Sequence, residues 1–233
     1  MARRKESVKL SVECLEGRQL PAITYVTHFL AAGDIVINAK ATGGSVYVDY
    51  SSFYKKDAFS KNQKMDCYVV RQLFSVNGRP EEERQYIPFK QITGKIIFNG
   101  SEEVDHFQFN AVAKKIINVK ADGRGGNDIL KGSHGRDTLS GGGGEDRLFG
   151  NGGNDLLLGG DNLDRLYGGT GSDTLKGEAG DDILDGYGSS PGSLDKDGVD
   201  ELWGGIGEDQ FRPDGYPNRD IMIDFDPLED IPF

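Results

Sequence analysis

Nine aspartates recur at fixed spacing in the second half of the chain. Asp128, Asp137, Asp146, Asp155, Asp164, Asp173 and Asp182 follow one another at intervals of nine, and Asp200 and Asp209 resume the interval after a break. Carboxylates supply hard, anionic oxygen, and together with main-chain carbonyls they select Ca²⁺-type cations over softer metals. No other pattern in the sequence suggests chemistry. His28, His106 and His134 form neither HExxH nor HxH, and no G-x-S-x-G, P-loop or cysteine pair at metal spacing occurs. The expectation is therefore a binding protein and not an enzyme. His134 falls in a repeat loop and is expected to face solvent.

Each aspartate belongs to a nonapeptide. From Gly123 the chain reads GRGGNDILK, GSHGRDTLS, GGGGEDRLF, GNGGNDLLL, GGDNLDRLY, GGTGSDTLK and GEAGDDILD, and a later pair ends at Arg212. Position 1 is glycine in all seven contiguous units. Position 4 is Gly126, Gly135, Gly144, Gly153, Asn162, Gly171 and Gly180, then Gly198 and Gly207. Asparagine is the side chain that best tolerates left-handed backbone. Position 8 is Leu130, Leu139, Leu148, Leu157, Leu166, Leu175, Leu184 and Leu202, then Phe211.

A fixed period of this kind marks a solenoid. Glycine at positions 1 and 4 predicts a tight turn with positive φ. Positions 7–9 predict a short strand with position 8 facing a core and positions 7 and 9 facing out. Two units then make one coil, so that loops i and i+2 stack on one edge about 4.8 Å apart. Their carboxylates and carbonyls are brought together there.

The units resemble the RTX (hemolysin-type, repeats-in-toxin) nonapeptide family, GGxGxDxUx, over about 90 of the 233 residues. The resemblance implies an all-β, right-handed parallel β-roll that binds Ca²⁺ between adjacent stacked loops. It also implies the ligands: the nine position-6 carboxylates named above, and loop carbonyls, with the position-4 residues Gly126 to Gly207 among them. Up to about seven ions are expected. Asp161, Asp181 and Asp185 stand at other positions and are expected to be solvated acids.

Between Asp185 and Asp195 the phase survives, but Pro191 stands at the Asp position and Ser193 at the Leu position. Proline cannot donate a ladder hydrogen bond, and a hydroxyl is unwelcome in an apolar column. Excising Gly188–Lys196 joins Gly186-Tyr187 to Asp197-Gly198-Val199-Asp200 and restores a full unit. A surface loop over 188–196 is therefore expected. It places Asp200 beside Asp173 and Asp209 beside Asp182.

Charge divides the chain. Residues 1–118 carry 17 Lys+Arg and 13 Asp+Glu, a net of +4, while residues 119–233 carry 10 and 25, a net of −15. Such an acidic half repels phosphates, which excludes nucleic acid as a partner. No stretch reaches 18 apolar residues, so no membrane span is expected. One apolar side chain per nine residues cannot hold together so much like charge. The roll is expected to be unfolded without calcium and to fold when the ion binds.

Four segments follow: 1–22, 23–121, 122–212 and 213–233. In the first, Leu15-Glu16-Gly17-Arg18-Gln19-Leu20-Pro21-Ala22 is similar to the LEPR-XLL segment of large exported bacterial proteins, and with no apolar run of 7–15 residues an ordinary signal peptide is not expected. The second is β-rich. "DIVINA" and "SVYVDYS" predict a hairpin, "CYVVRQLFSVNG" and "GKIIFNG" predict strands, and Gly100–Phe107 reads as a degraded, non-binding rung with Asp105 and Phe107 at positions 6 and 8. Cys14 and Cys67 could pair after export. In the last segment, Asp220–Phe225 predicts a strand that caps the open solenoid.

The expected function is calcium binding by an exported bacterial roll with a structural or adhesive role, secreted or at the cell surface. Its partners would be calcium ions and a cell-surface or matrix component. The alternatives are a secreted calcium-dependent hydrolase with its active site in the N-terminal segment, and a secretion and folding module of a larger toxin-like protein.

Overall fold

Alternation inside each nonapeptide sets the architecture. A strand that buries every second side chain must lie against a second layer, and each nonapeptide supplies only one short strand. Successive units therefore form opposite walls of a shared core. The computed structural model describes residues 28–29, 34–39, 44–56, 62–76, 79–88, 92, 94–110, 116–186, 198–212, 221–223 and 231–232. These residues contain strands and no helix. The 1–22 segment, the 188–196 loop and Cys14 lie outside them; Cys67 is buried in the N-terminal sheet.

Two open sheets carry the strands of the described residues. The first runs β1 (His28–Phe29), β2 (Ile35–Asn38), β6 (Ile96–Asn99), β8 (Val119–Gly125), β10 (Thr138–Gly143), β12 (Leu156–Asp161), β14 (Thr174–Ala179), β16 (Glu201–Ile206), β18 (Ile221–Ile223). The second starts with β5 (Arg79–Pro88), β4 (Asn62–Val76) and β3 (Gly44–Lys56). It continues through β7 (Asp105–Phe109), β9 (Ile129–Lys131), β11 (Arg147–Gly152), β13 (Arg165–Thr170), β15 (Ile183–Asp185), β17 (Gln210–Arg212) and β19 (Ile231–Pro232). From β2 and β3 onward successive rungs pair in parallel, for example Leu139 with Leu157 and Leu148 with Leu166. This is the parallel β-roll expected from the repeat. The full strands extend past position 9 into position 3 of the next unit, longer than the three residues predicted.

The core is two columns of position-8 side chains. One holds Ile37, Phe98, Ala121, Leu139, Leu157, Leu175 and Leu202; the other holds Val46, Phe107, Leu130, Leu148, Leu166, Leu184 and Phe211. All are buried in one continuous cluster. Phe98 and Phe107 face each other across the sheets with ring centroids 4.8 Å apart, next to the small Ala121. Outward side chains stack along the coil as well. Lys131 lies over Phe149, which stacks on Tyr167 at 4.8 Å, and Lys176 lies over Trp203.

The sheets cross residue 121 without interruption, so the change of charge there is not a break in hydrogen bonding. One N-terminal expectation fails. "DIVINA" and "SVYVDYS" do not form a hairpin: β2 lies in the first sheet and β3 in the second. Each strand buries alternate residues, Ile35 and Ile37 in one and Val46 and Val48 in the other, against the same core from opposite sides. The antiparallel partner of β3 is β4, which in turn pairs with β5. On this flank Tyr68 packs on Phe109, and Arg71 binds Asp49 at 2.5 Å. The edge strand β5 exposes Arg79, Glu81, Glu82 and Arg84, charges that discourage further strand addition.

Candidate metal sites

Each position-6 aspartate is fixed by the ladder itself. The main-chain N–H of Asp128 donates to Asp146 Oδ1 at 2.7 Å, and the carbonyl of Asp128 accepts the N–H of Arg147 at 2.9 Å. The same carboxylate bond joins Asp137 to Asp155, Asp146 to Asp164, Asp155 to Asp173, Asp164 to Asp182, Asp173 to Asp200 and Asp182 to Asp209, at 2.7–2.9 Å. Two columns of carboxylates result, one on each edge. The register steps from Thr174 to Glu201 and from Ile183 to Gln210, so the residues between Gly186 and Gly198 lengthen one turn without adding a rung.

All nine aspartates are buried, none more than 3% exposed. Oδ1 accepts the N–H of the preceding rung on its edge, but Oδ2 of Asp128, Asp146, Asp155, Asp164 and Asp182 has no hydrogen-bond partner. A buried carboxylate oxygen without a donor is costly and calls for a cation or a proton. Burial, with neighbouring aspartates adding to it in the column, pushes the carboxyls of Asp155 and Asp164 up to about 8 and those of Asp128 and Asp182 up to about 7. Burial raises Asp146 too. A bound cation would reverse this logic and hold the carboxylates ionised.

The glycine at position 1 completes the cradle. A Cβ on Gly150 would come within 2.4 Å of Asp155 Oδ2 and 2.5 Å of the Gly168 carbonyl oxygen of the next coil. Gly141, Gly159 and Gly177 face the equivalent pairs, Asp146 with Gly159, Asp164 with Gly177 and Asp182 with Gly204. An unpartnered carboxylate oxygen and a carbonyl oxygen thus converge where a side chain would sit. The donor set is all oxygen and carries negative charge, which fits Ca²⁺. Among the described residues no three His, Cys, Asp or Glu side chains come together to hold a metal. Ligation would therefore combine carboxylates from the columns with main-chain carbonyls.

This corrects the role predicted for position 1. Those glycines do not adopt positive φ; the left-handed residues are at positions 2 and 4, such as Gly142 and Gly144, with Arg124, Asn151, Asn162 and Glu178 as non-glycine examples. Position 1 is glycine for space rather than for angle. Position-4 glycines are also confined, since a Cβ on Gly171 would strike the Gly153 carbonyl. Gly126, Gly135, Gly144, Gly153, Asn162, Gly171, Gly180, Gly198 and Gly207 all lie in the loops that carry the columns. A second correction concerns Asp185. It is buried and ion-paired with Arg212 at 3.3 Å, because the parallel register sets the two residues side by side. Asp161 and Asp181 are exposed, as is His134.

Sequence reasoning missed four rungs. Register places Ile35, Ile96 and Val119 at position 6 of the first edge, all buried, and Gly44 at position 6 of the second. The signal was the pair Gly33-Asp34-Ile35-Val36-Ile37-Asn38 and Gly94-Lys95-Ile96-Ile97-Phe98-Asn99, which keeps glycine at position 4 and replaces the aspartate by isoleucine. Asp105 and Phe107 do stand at positions 6 and 8 of a rung, as expected: the N–H of Asp105 donates to Asp128 Oδ1, and Phe107 pairs with Leu130.

Comparison with known families agrees with this geometry. Residues 122–157 and 158–189 match the RTX calcium-binding nonapeptide repeat (4 copies). This part of the chain consists of calcium-binding RTX repeats. No curated protein and no solved structure matches the chain.

Proposed function

We propose that the chain is an exported bacterial calcium-binding roll, secreted or held at the cell surface, that folds when Ca²⁺ binds and then serves a structural or adhesive role without catalysis. The observation that carries this reading is the pair of buried carboxylate columns, in which Oδ2 of Asp128, Asp146, Asp155, Asp164 and Asp182 meets no donor. Stacked buried carboxylates repel one another, and a divalent cation between them turns repulsion into attraction. Binding free energy is then folding free energy. Extracellular calcium modules commonly bind at about 10⁻⁴–10⁻³ M, so the chain would stay unfolded at cytosolic calcium and fold outside. A stiff, acidic rod of stacked rungs suits a spacer or an adhesive stalk facing a cell-surface or matrix component.

The test is circular dichroism of the decalcified chain during a calcium titration, with metal content measured at the end. A gain of β-structure at millimolar Ca²⁺ and several bound ions per chain are expected. Equal β content with and without calcium would overturn the reading.

A further inference from the structure

Two rungs differ from those of Asp128, Asp146, Asp155, Asp164 and Asp182 in how Oδ2 of the carboxylate is satisfied. In the loop Gly132–Asp137, Ser133 N–H donates to Asp137 Oδ2 at 2.5 Å, and Ser133 Oγ lies 3.1 Å from Asp137 Oδ1 and donates to the Ile117 carbonyl at 2.6 Å. The same oxygen accepts the N–H of Gly135 at 2.8 Å. In the loop Gly100–Asp105, Ser101 N–H and Oγ donate to Asp105 Oδ2 at 2.6 and 2.9 Å, and Ser101 Oγ accepts the N–H of Glu103. Both loops have serine at position 2, four residues before the aspartate. Neither takes the left-handed turn found at position 2 in Arg124, Gly142, Asn151, Gly160, Gly169, Glu178 and Gly205. The serine therefore supplies to Oδ2 the donors that Oδ2 of Asp128, Asp146, Asp155, Asp164 and Asp182 lacks, although Asp105 Oδ1, with no carboxylate at Gly44 on the rung before it, still has no hydrogen-bond partner.

The placement of these rungs is the same on both edges. Along the first, Ile35, Ile96 and Val119 are followed by Asp137, and then by Asp155, Asp173 and Asp200. Along the second, Gly44 is followed by Asp105, and then by Asp128, Asp146, Asp164, Asp182 and Asp209. On each edge the first aspartate is the one tied to a serine. Rungs before it carry no carboxylate at position 6.

We propose that Ser101 and Ser133 close their loops in place of a metal, so that Asp105 and Asp137 are not calcium ligands and the rungs through Phe109 on one edge and through Ser140 on the other form a calcium-independent base on which the calcium-dependent rungs, those of Asp128 and Asp155 first, stack. This rests on the reading of the later rungs as calcium sites. It removes the interval between Asp137 and Asp155 from the expected set. Six intervals between adjacent position-6 aspartates remain, four on the Asp128 edge and two on the Asp155 edge. The base has what an ion would otherwise provide: apolar residues at position 6, the stacked Phe98 and Phe107, and the flanking antiparallel strands β4 and β5. It also presents hydrogen-bond donors to the first open rungs, since Asp105 N–H binds Asp128 Oδ1 and Asp137 N–H binds Asp155 Oδ1. Residues added in the presence of calcium would thus extend an existing pair of sheet edges and avoid nucleating a new coil.

The experiment is hydrogen–deuterium exchange of the full chain, decalcified and in millimolar Ca²⁺, together with ion counting on Asp137→Asn and Asp155→Asn. Without calcium, amides of β6 to β8 are expected to be protected while those of β11 to β17 exchange freely; with calcium both groups are protected. Asp137→Asn is expected to keep the wild-type number of ions and Asp155→Asn to lose one. Exchange throughout the decalcified chain, or loss of an ion in Asp137→Asn, overturns the inference while leaving calcium-dependent folding intact. Protection of every rung without calcium would instead defeat the functional reading on which it rests. If Asp137→Asn fails to fold, the exchange pattern of the wild-type chain decides alone.

Discussion

Asp200 Oδ1 accepts the main-chain N–H of Asp173 at 2.8 Å, although 27 residues separate the two, half as many again as the 18 between Asp155 and Asp173. A Cβ on Gly186 would fall 2.4 Å from Asp200 Oδ2, the same relation that Gly150 has to Asp155. Gly186 and Asp200 are therefore positions 1 and 6 of one unit with extra chain between them. The carboxylate column passes the insertion without losing a member, and the series of sites on that edge stays continuous.

Shared carboxylates make ion loss depend on place. Asp164 is bonded into the column between Asp146 and Asp182, both with a buried Oδ2 that has no partner, whereas Asp128 starts its series. Asp164→Asn is expected to remove two ions and Asp128→Asn one, by metal content of the purified chain. The same loss from both would show that each ion belongs to a single loop.

The space around position 1 gives a steric test. Gly150→Ala puts a methyl between Asp155 Oδ2 and the Gly168 carbonyl, while the nearest atom to a Cβ on Gly143 is 3.8 Å away. Overpacking of this kind costs about 1–3 kcal/mol. Gly150→Ala is expected to raise the calcium concentration needed for folding and Gly143→Ala to leave it unchanged, followed by circular dichroism. A Gly150→Ala chain that titrates like the parent would place the ion cradle elsewhere.

Leu157 is fully buried in the position-8 column, and Arg165 is a half-buried outward residue. In saturating calcium, Leu157→Ala should lower stability by about 2–5 kcal/mol and Arg165→Ala by no more than about 0.5 kcal/mol. Denaturant unfolding measures both, and comparable losses would contradict the two faces.

Acid should act in opposite directions on the free and the bound chain. Burial raises Asp155 and Asp164 to about 8, above the ordinary carboxyl value near 4. A raised acid favours the folded state while it is protonated. The calcium-free roll is therefore most stable below about pH 4 and loses that stability as pH rises through about 8. Ion binding requires the deprotonated form, so calcium affinity falls as pH is lowered across the same window. Decalcified chain at pH 4 should hold more β-structure than at pH 8. The reverse order would mean that the carboxylates are not buried in the free chain.

Most of the roll could be read from the sequence because its period is carried by residues with a single physical job. Leucine at position 8 can only be core, and aspartate at position 6 has no apolar substitute that keeps its oxygens. Legibility failed where one column changed chemistry while the backbone did not. Ile35, Ile96 and Val119 occupy the aspartate position in rungs whose coil is otherwise alike, and without the carboxylate the period went unseen. The insertion was legible from Pro191 and Ser193, residues that could not serve as rung positions. The serine ties were not, since Ser133 is an ordinary loop residue until its distance to Asp137 is known. Asp185 was misjudged for a related reason: its partner Arg212 is 27 residues away and becomes a neighbour only through the register.

The alternation of successive units between two walls also sets how such a gene can change in length. A duplication or deletion of 18 residues adds or removes one whole coil and leaves every later residue on its own side. One of nine exchanges the sides for all that follows, moving the Phe149–Tyr167 stack to the opposite wall from Lys131 and setting each downstream loop against a different neighbour. The nine extra residues between Gly186 and Gly198 avoid this, since the strands after them keep the walls that an 18-residue step would give. Inheritance in this fold should therefore count in pairs of repeats, with nine residues tolerated singly only where the register of the later strands is kept.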